Sequence, residues 1–260
     1  MKAKKSLGQN FISDPNLISS IADVSRVSKD DTVLEIGPGR GAQTTELASR
    51  AKRLVAVELD KDLIPGLRTL AALSGNVEIV NEDILKYQFD FDEKIRIVGN
   101  LPYYITTPIV LGLLEKNVPA KSMTFMVQKE VAERIVSPPG GKDYGVLSVS
   151  IQYYCDVSYA LDVPREYFDP VPKVDSAVVH LVPKEERLLK PEDEGLFFEL
   201  VKAAFSQRRK TLQNSLVGFR SQGKEKIGML LSSCGIEPGR RAETLSLEEF
   251  ARICEKTKEI

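Results

Sequence analysis

An α/β fold is what this sequence predicts: a parallel, doubly wound sheet carried by residues 1–183, followed by a small all-helical domain over 184–260. Three observations lead there. Between residues 32 and 136, short apolar runs rich in Val and Ile alternate with stretches of helical period. That is the pattern of successive strand–helix units with right-handed crossovers. The first four runs end on Gly37, Glu58, Asp83 and Asn100, and ligands of doubly wound sheets sit at the carboxyl ends of strands. From Leu196 onward the spacing is helical, with no strand signal.

Taken in order, residues 6–12 are polar and contain Gly8, which predicts a loop of extended character. Asp14-Pro15 reads as an N-cap followed by proline at the first helical position. Leu17, Ile18, Ile21, Ala22 and Val24 follow at helical spacing. Residues 32–36 predict the first strand, Gly37-Pro38-Gly39-Arg40-Gly41 a turn, and 42–51 a helix. The second strand, 54–57, ends at Glu58-Leu59-Asp60. The next helix runs to about residue 73, with Pro65-Gly66 delaying its start or kinking it. Strands are predicted over 77–80, 95–98 and 123–127, and helices over 108–116 and 129–136. Residues 144–163 and 176–182 predict further strands around a loop, 164–175. The charged, proline-punctuated stretch 183–194 reads as a linker.

Composition narrows the function. The chain has 260 residues, 42% of them hydrophobic and 28% charged, an ordinary globular balance with length enough for a sizeable core. Pro, Gly and charges interrupt every apolar run before membrane-spanning length, and no apolar signal region follows the basic start. A cytoplasmic protein with no membrane partner is therefore expected. Cys155, Cys234 and Cys254 are widely spaced and odd in number, and the one histidine, His180, lies in a strand-like run. Disulfide frameworks, zinc sites and histidine triads lack their usual parts; reduced thiols, a packed histidine and no metal are expected. At a formal net charge of −1, any nucleic-acid site must rest on clustered positive charge.

The glycine loop after the first strand lets backbone approach a ligand closely through a tight turn. It lacks the dinucleotide spacing and the Gly-Lys-Ser/Thr ending of a nucleotide-triphosphate loop, so by itself it is either a ligand cradle or a plain strand–helix turn. Gly37 and Gly39 are its candidate contacts. Glu58 suits the two hydroxyls of a ribose, and Asp83 could accept from an adenine amine; either could equally be a solvated helix cap. Together these three features resemble the S-adenosylmethionine site of class I methyltransferases.

Asn100-Leu101-Pro102-Tyr103 follows the fourth strand. An exocyclic adenine amine is a poor nucleophile, because its lone pair is delocalised into the ring. Acceptors on both of its hydrogens favour a tetrahedral nitrogen, and the Asn100 side-chain oxygen and Leu101 carbonyl are natural acceptors. Pro102 removes a competing N–H and stiffens the turn. Tyr103 can stack on the base, a contact worth about 1–3 kcal/mol in single-strand recognition. A base inside paired RNA must first be extruded.

Six stretches then occur in order: Leu7-Gly8-Gln9-Asn10-Phe11, Glu35-Ile36-Gly37-Pro38-Gly39, Asn100-Leu101-Pro102-Tyr103, Gln128-Lys129-Glu130-Val131, Pro172-Lys173-Val174-Asp175-Ser176 and Gln207-Arg208-Arg209-Lys210-Thr211. On these the chain resembles the rRNA adenine dimethyltransferase family, in its bacterial small-subunit branch. The resemblance implies a Rossmann-like class I sheet and S-adenosylmethionine as donor, with S-adenosylhomocysteine as product. It implies dimethylation of two adjacent adenosines in the 3′-terminal hairpin loop of small-subunit (16S) rRNA, late in subunit biogenesis, on a pre-30S particle; a monomer is expected. It also implies that Asn10, Ile12, Gly37, Glu58, Asp83 and Asn100 contact the cofactor, and that Tyr103 and Phe168 sandwich the target base. Tyr104 departs from the Asn common among relatives. Without the resemblance, Phe168 reads equally as a core aromatic anchoring its loop.

Arg208, Arg209 and Lys210 open a predicted helical stretch with Leu212, Leu216 and Phe219 on its apolar face. Adjacent cations fan around a helix, so phosphate contact is a natural role for them. Arg240-Arg241 and Lys2, Lys4 and Lys5 are weaker candidates. Three other readings remain: the sister activity on large-subunit rRNA, a non-catalytic assembly or nucleic-acid-binding factor on the same scaffold, and a small-molecule methyltransferase. The basic helical tail opposes the last. The sister enzymes usually carry Asn-Ile-Pro-Tyr, which opposes the first.

Overall fold

The computed structural model of the chain describes residues 3–4 and 7–258. Its elements run β1 (Phe11–Ile12), α1 (Pro15–Ser25), β2 (Thr32–Ile36), α2 (Ala42–Arg50), β3 (Arg53–Glu58), α3 (Ile64–Ser74), β4 (Val77–Asn81), β5 (Ile95–Asn100), α4 (Thr106–Glu115), β6 (Ala120–Gln128), α5 (Lys129–Val136), α6 (Val146–Tyr154), β7 (Cys155–Val163), β8 (Phe168–Asp169), β9 (Ser176–Pro183), α7 (Glu194–Ala204), α8 (Leu212–Ser215), α9 (Lys224–Ser233) and α10 (Leu247–Thr257). None of the described helices is long and apolar enough to cross a membrane.

The chain divides into two units, Met1–Ala132 with Asp156–Pro183, and Glu133–Cys155 with Lys184–Ile260. Residues 133–155 group with the helical unit and not with the sheet. The reason is α6. Its sequence, VLSVSIQYY, is rich in β-branched and aromatic residues and was expected as strand. Seven of its residues are buried, and a helix that is apolar on nearly every side is stable when surrounded. Only from Cys155 does the backbone become extended.

The first unit holds a seven-stranded sheet in the order β4-β3-β2-β5-β6-β9-β7. β2 pairs in parallel with β3 and β5, β3 with β4, and β5 with β6; β9 pairs antiparallel with β6. The chain therefore steps outward from β2 to β4, then returns to β5 on the other flank of β2, placing a topological switch between β2 and β5. Asp14 caps α1 through its side chain, 2.8 Å from the Leu17 N–H, with Pro15 in the first turn. Ile18, Ile21 and Ala22 of α1 then join Val33, Leu47, Leu54, Val98 and Met126 in one core. Each such buried aliphatic contributes about 1.5–3 kcal/mol. Pro65 sits in the first turn of α3, where its missing N–H costs nothing, so the helix starts there without a kink.

The second unit packs aromatics. Tyr153 lies 4.7 Å from Phe197 and 5.3 Å from Phe198, centre to centre. Burial, with Glu194 close by, pushes the Tyr153 and Tyr154 hydroxyls up from their usual range. Both reach Glu194, which also pairs with Arg187.

Gly99 lies close against β2. A Cβ there would stand 3.0 Å from the Ile36 carbonyl oxygen and 3.1 Å from the Ile36 Cβ. Gly99→Ala is expected to cost about 1–3 kcal/mol through overpacking, read as a lowered midpoint in urea unfolding. An unchanged midpoint would show that β2 and β5 can separate freely.

Candidate active site

A solvent-open cleft of about 1020 Å³ lies in the first unit. Its walls come from the segment 7–12, the glycine loop after β2, the end of β3, the turn after β4 and the stretch after β5. Of the residues anticipated for it, Asn10, Ile12, Gly37, Gly39, Glu58, Asp83, Asn100, Leu101, Pro102 and Tyr103 all line it. They come together because four parallel strands end side by side.

Gly37 and Gly39 have φ of +69° and +58°, a left-handed backbone that side chains resist. A Cβ on Gly39 would also stand 3.0 Å from the Phe11 ring. The Gly37 N–H donates to the Val57 carbonyl at 3.0 Å, tying the loop to β3. The Gly39 N–H donates to Glu58 Oε2 at 3.1 Å, and the Asp60 N–H to Glu58 Oε1 at 2.8 Å. Burial nevertheless pushes the Glu58 carboxyl up from its usual range, against those two N–H donors. Asp83 accepts from the Leu85 N–H at 3.0 Å, so it caps its own turn as well as lining the cleft.

Glu35 and Gln43 line the same cleft and were not singled out from the sequence. Glu35 is 1% exposed, inside the apolar strand TVLEI. Burial first, then the neighbouring Glu58 charge, pushes its carboxyl up to about 8. Glu35 Oε2 and Gln43 Nε2 are buried and have no partner among the described residues. An acid in the middle of an apolar strand is the signal that could have found Glu35. An acceptor and a donor waiting beside a glycine cradle fit the ammonium and carboxylate of an amino-acid ligand, and Glu58 fits a ribose. The residues present thus suit S-adenosylmethionine.

At the end of β5 the Asn100 amide nitrogen donates to the Asn10 carbonyl at 3.0 Å. That bond orients the amide and leaves its oxygen as an acceptor. The Leu101 N–H is held by the Met126 carbonyl at 3.1 Å. The Tyr103 hydroxyl lies 2.7 Å from Ser176 Oγ, and burial pushes its pKa up. Phe168 departs from expectation. It is 3% exposed, does not line the cleft, and packs in the core with Ile12 and Val163. Its backbone pairs with Ile12 in the β1–β8 ribbon, which turns the ring inward as the anchor of its loop.

The basic candidates also redistribute. Arg208, Arg209 and Lys210 form an exposed turn and not a helix, because Thr211 caps the short α8 after them. Arg208 donates to the Lys142 carbonyl at 2.9 Å. Arg240 is bound to Glu249 at 2.5 and 3.0 Å, and Arg241 lies 3.9 Å from Glu243. Lys4 is held by Asp60 and Asp62; Lys2 and Lys5 lie outside the described residues. His180 is buried beside Thr124 at 2.9 Å, and burial pushes its pKa down. None of the three buried cysteines forms a disulfide.

The family model described as ribosomal RNA adenine dimethylase matches residues 1–259. The chain belongs to the ribosomal RNA adenine dimethylase family. Among its relatives, ribosomal RNA small subunit methyltransferase A of Bacillus cereus (strain B4264) is 46% identical over 96% of this chain and 89% of its own length. The protein of that name from Bacillus anthracis (strain CDC 684 / NRRL 3495) matches equally. Two solved structures share the fold. A dimethyladenosine transferase from Plasmodium falciparum has a TM-score of 0.84 at 26% identity, covering 96% of this chain and 98% of that one. The 23S rRNA methyltransferase ErmE has a TM-score of 0.76 at 31% identity, covering 96% and 100%. For a ribosomal RNA adenine dimethylase, the cleft after β2 and β5 is where a methyl donor and a target adenine would meet.

Glu35 makes the pH response of this dimethylase testable. Its carboxyl ionises near 8 in the folded chain against an ordinary 4.5. Its contribution to stability is therefore whole below about 4.5 and is lost as pH rises through about 8. Glu35→Gln should lie higher relative to the native protein at pH 9 than at pH 5, in melting temperatures from scanning fluorimetry. Equal differences at both pH values would mean the carboxyl is not held neutral.

Proposed function

We propose that this chain dimethylates the exocyclic amines of two adjacent adenosines in the 3′-terminal hairpin loop of 16S rRNA. On this reading it acts as a monomer, in the cytoplasm, on a pre-30S particle late in small-subunit biogenesis. The observation that carries the chemistry is the oriented Asn100 amide at the end of β5, beside the glycine cradle. The choice of small-subunit rRNA draws on the 46% identity to the Bacillus small-subunit enzymes.

Bound S-adenosylmethionine supplies an electrophilic methyl group with a neutral thioether as leaving group. Gly37 and Gly39 bring backbone against it, Glu58 takes the ribose, Asp83 the adenine amine, and Asn10 and Ile12 close the near side. Glu35 and Gln43 meet the amino-acid end. For the substrate, Asn100 Oδ1 and the Leu101 carbonyl would accept hydrogen bonds from the amine of the target adenine, releasing its lone pair from the ring to take the methyl group; the methylated nitrogen then loses its proton to water in the open cleft. Pro102 keeps a donor away from that nitrogen, and Tyr103 offers its face to the base. Positioning and amine polarisation carry the rate, so no histidine is needed.

The phosphate backbone falls to the exposed Arg208, Arg209 and Lys210. Each phosphate contact contributes about 0.7–0.9 to the slope of log K against log salt. Replacing Arg208 and Arg209 by Ala should weaken RNA binding and flatten that slope by about 1–2, measured by filter binding between 50 and 200 mM salt. An unchanged slope assigns both to the fold.

Asn100→Ala should lower kcat by about 10²–10³-fold, the cost of losing one preorganised polar contact, while RNA affinity stays near native. Normal turnover would remove the proposed role. The function itself is tested with labelled S-adenosylmethionine and undermethylated small subunits, mapping the modified base. Label in large-subunit RNA alone would transfer the assignment to the sister activity.

A further inference from the structure

Asp60 is a buried carboxylate, 3% exposed, that no step above uses. Its oxygens gather the segment that runs along the cleft. Lys4 Nζ donates to Oδ1 at 2.5 Å and Gln9 Nε2 to Oδ2 at 2.8 Å. Gln9 Oε1 in turn accepts the Lys4 N–H at 2.8 Å. On its other side, the Asp60 N–H donates to Glu58 Oε1. Asn10, next after Gln9, supplies the carbonyl that orients the Asn100 amide. A continuous chain of hydrogen bonds and one peptide link thus runs from Glu58 through Asp60 and Gln9 to Asn100.

We propose that Asp60 is a positioning residue that clasps Lys4 and Gln9 beside the cofactor cleft, so that a cofactor held by Glu58 and Asn10 also sets the Asn100 amide for the base. This rests on the S-adenosylmethionine reading given above. The physical ground is that the clasp is charge-assisted and that the Asp60 carboxylate itself is out of water, although Lys4 stays partly exposed. Lys4 and Gln9 hold the Asp60 carboxyl below its usual range against the opposite push of burial. Beyond the clasp, the segment is held by the Lys4–Asp62 pair at its start and by the β1–β8 pairing that follows Asn10. Leu7 and Gln9 donate back to the Lys4 carbonyl within the segment itself. Losing the clasp therefore loosens Gln9, and with it the placement of the adjoining Asn10 carbonyl against the Asn100 amide.

The test is isothermal titration of S-adenosylmethionine into the full chain and into Asp60→Asn, Gln9→Glu and the double variant. Asp60→Asn leaves Lys4 with Asp62 as its remaining carboxylate and puts a neutral amide opposite Gln9, and Gln9→Glu sets two carboxylates together. Each should weaken binding by about tenfold, the worth of a charge-assisted hydrogen bond. The double variant moves the carboxylate to position 9, opposite an amide at 60, and should recover most of the loss while kcat recovers with it. Hydrogen exchange gives the second arm. The cofactor should slow exchange of the Asn10 and Phe11 amides in the native chain, and should fail to do so in Asp60→Asn. Native binding with unaltered single variants, or a double variant as weak as the two losses combined, overturns the clasp. If the single variants do not fold, unslowed exchange at Asn10 and Phe11 in the native chain overturns it alone. A native chain that does not bind S-adenosylmethionine overturns the cofactor reading first, and the clasp with it.

Discussion

The parallel pairing of β2 with β5 is the contact on which the site depends. Ile36 stands beside Gly99 in that register, so Gly37, just after β2, and Asn100, the last residue of β5, emerge together. A Cβ on Gly37 would lie 3.6 Å from the Asn100 carbonyl oxygen. The glycine loop and the Asn100 amide, proposed above to polarise the base, are thus neighbours by sheet topology, although 63 positions separate them in sequence numbering. The absence of a side chain at Gly99 is what allows the strands to come this close at that point. The switch between β2 and β5 also opens the crevice itself, since the helices after the two strands fall on opposite faces of the sheet.

Charge is handled differently at the two ends of the strands. At the amino end, Asp31 is 4% exposed and meets Arg96 at 2.9 Å and Lys121 at 2.8 Å. Burial pushes its carboxyl up, but Lys121, Ser28 and Arg96 together hold it well below the usual range. That cluster is satisfied within itself and serves the fold. At the carboxyl end, Glu35 and Glu58 have their carboxyls pushed up by burial, and Glu35 Oε2 lacks a partner. Incomplete satisfaction of buried polar groups is costly, and Glu35 and Gln43 are left so in the cleft, where the proposed ligand's ammonium and carboxylate would complete them. The same sheet therefore has one end that is finished and one that waits for a ligand.

Local patterns carried far in this chain. The alternation of strands and helices, the proline-started α1 and the four strand-end residues follow from periodicity and turn chemistry, and the family follows from six ordered stretches. Propensity failed where surroundings overrode it. VLSVSIQYY reads as strand but is buried nearly all round as α6, which shifts 133–155 into the helical unit. Arg208 to Lys210 read as helix, but the Thr211 cap starts the helix after them. Phe168 was placed beside the base by resemblance, whereas the β1–β8 pairing turns its ring into the core.

What the sequence determined by itself is the chemistry available: a glycine loop, acids at strand ends, an amide with an aromatic ring, and a basic run near the end. These depend on residue type and short spacing, which are local. Only the tertiary structure decided which of them meet. It brought Asn10 to Asn100 and Lys4 to Asp60, left Glu35 Oε2 without a partner among the described residues, and drew Arg240 away from the basic candidates into a pair with Glu249. Such outcomes depend on contacts between residues distant in the chain and on exclusion of water, and no local pattern encodes either.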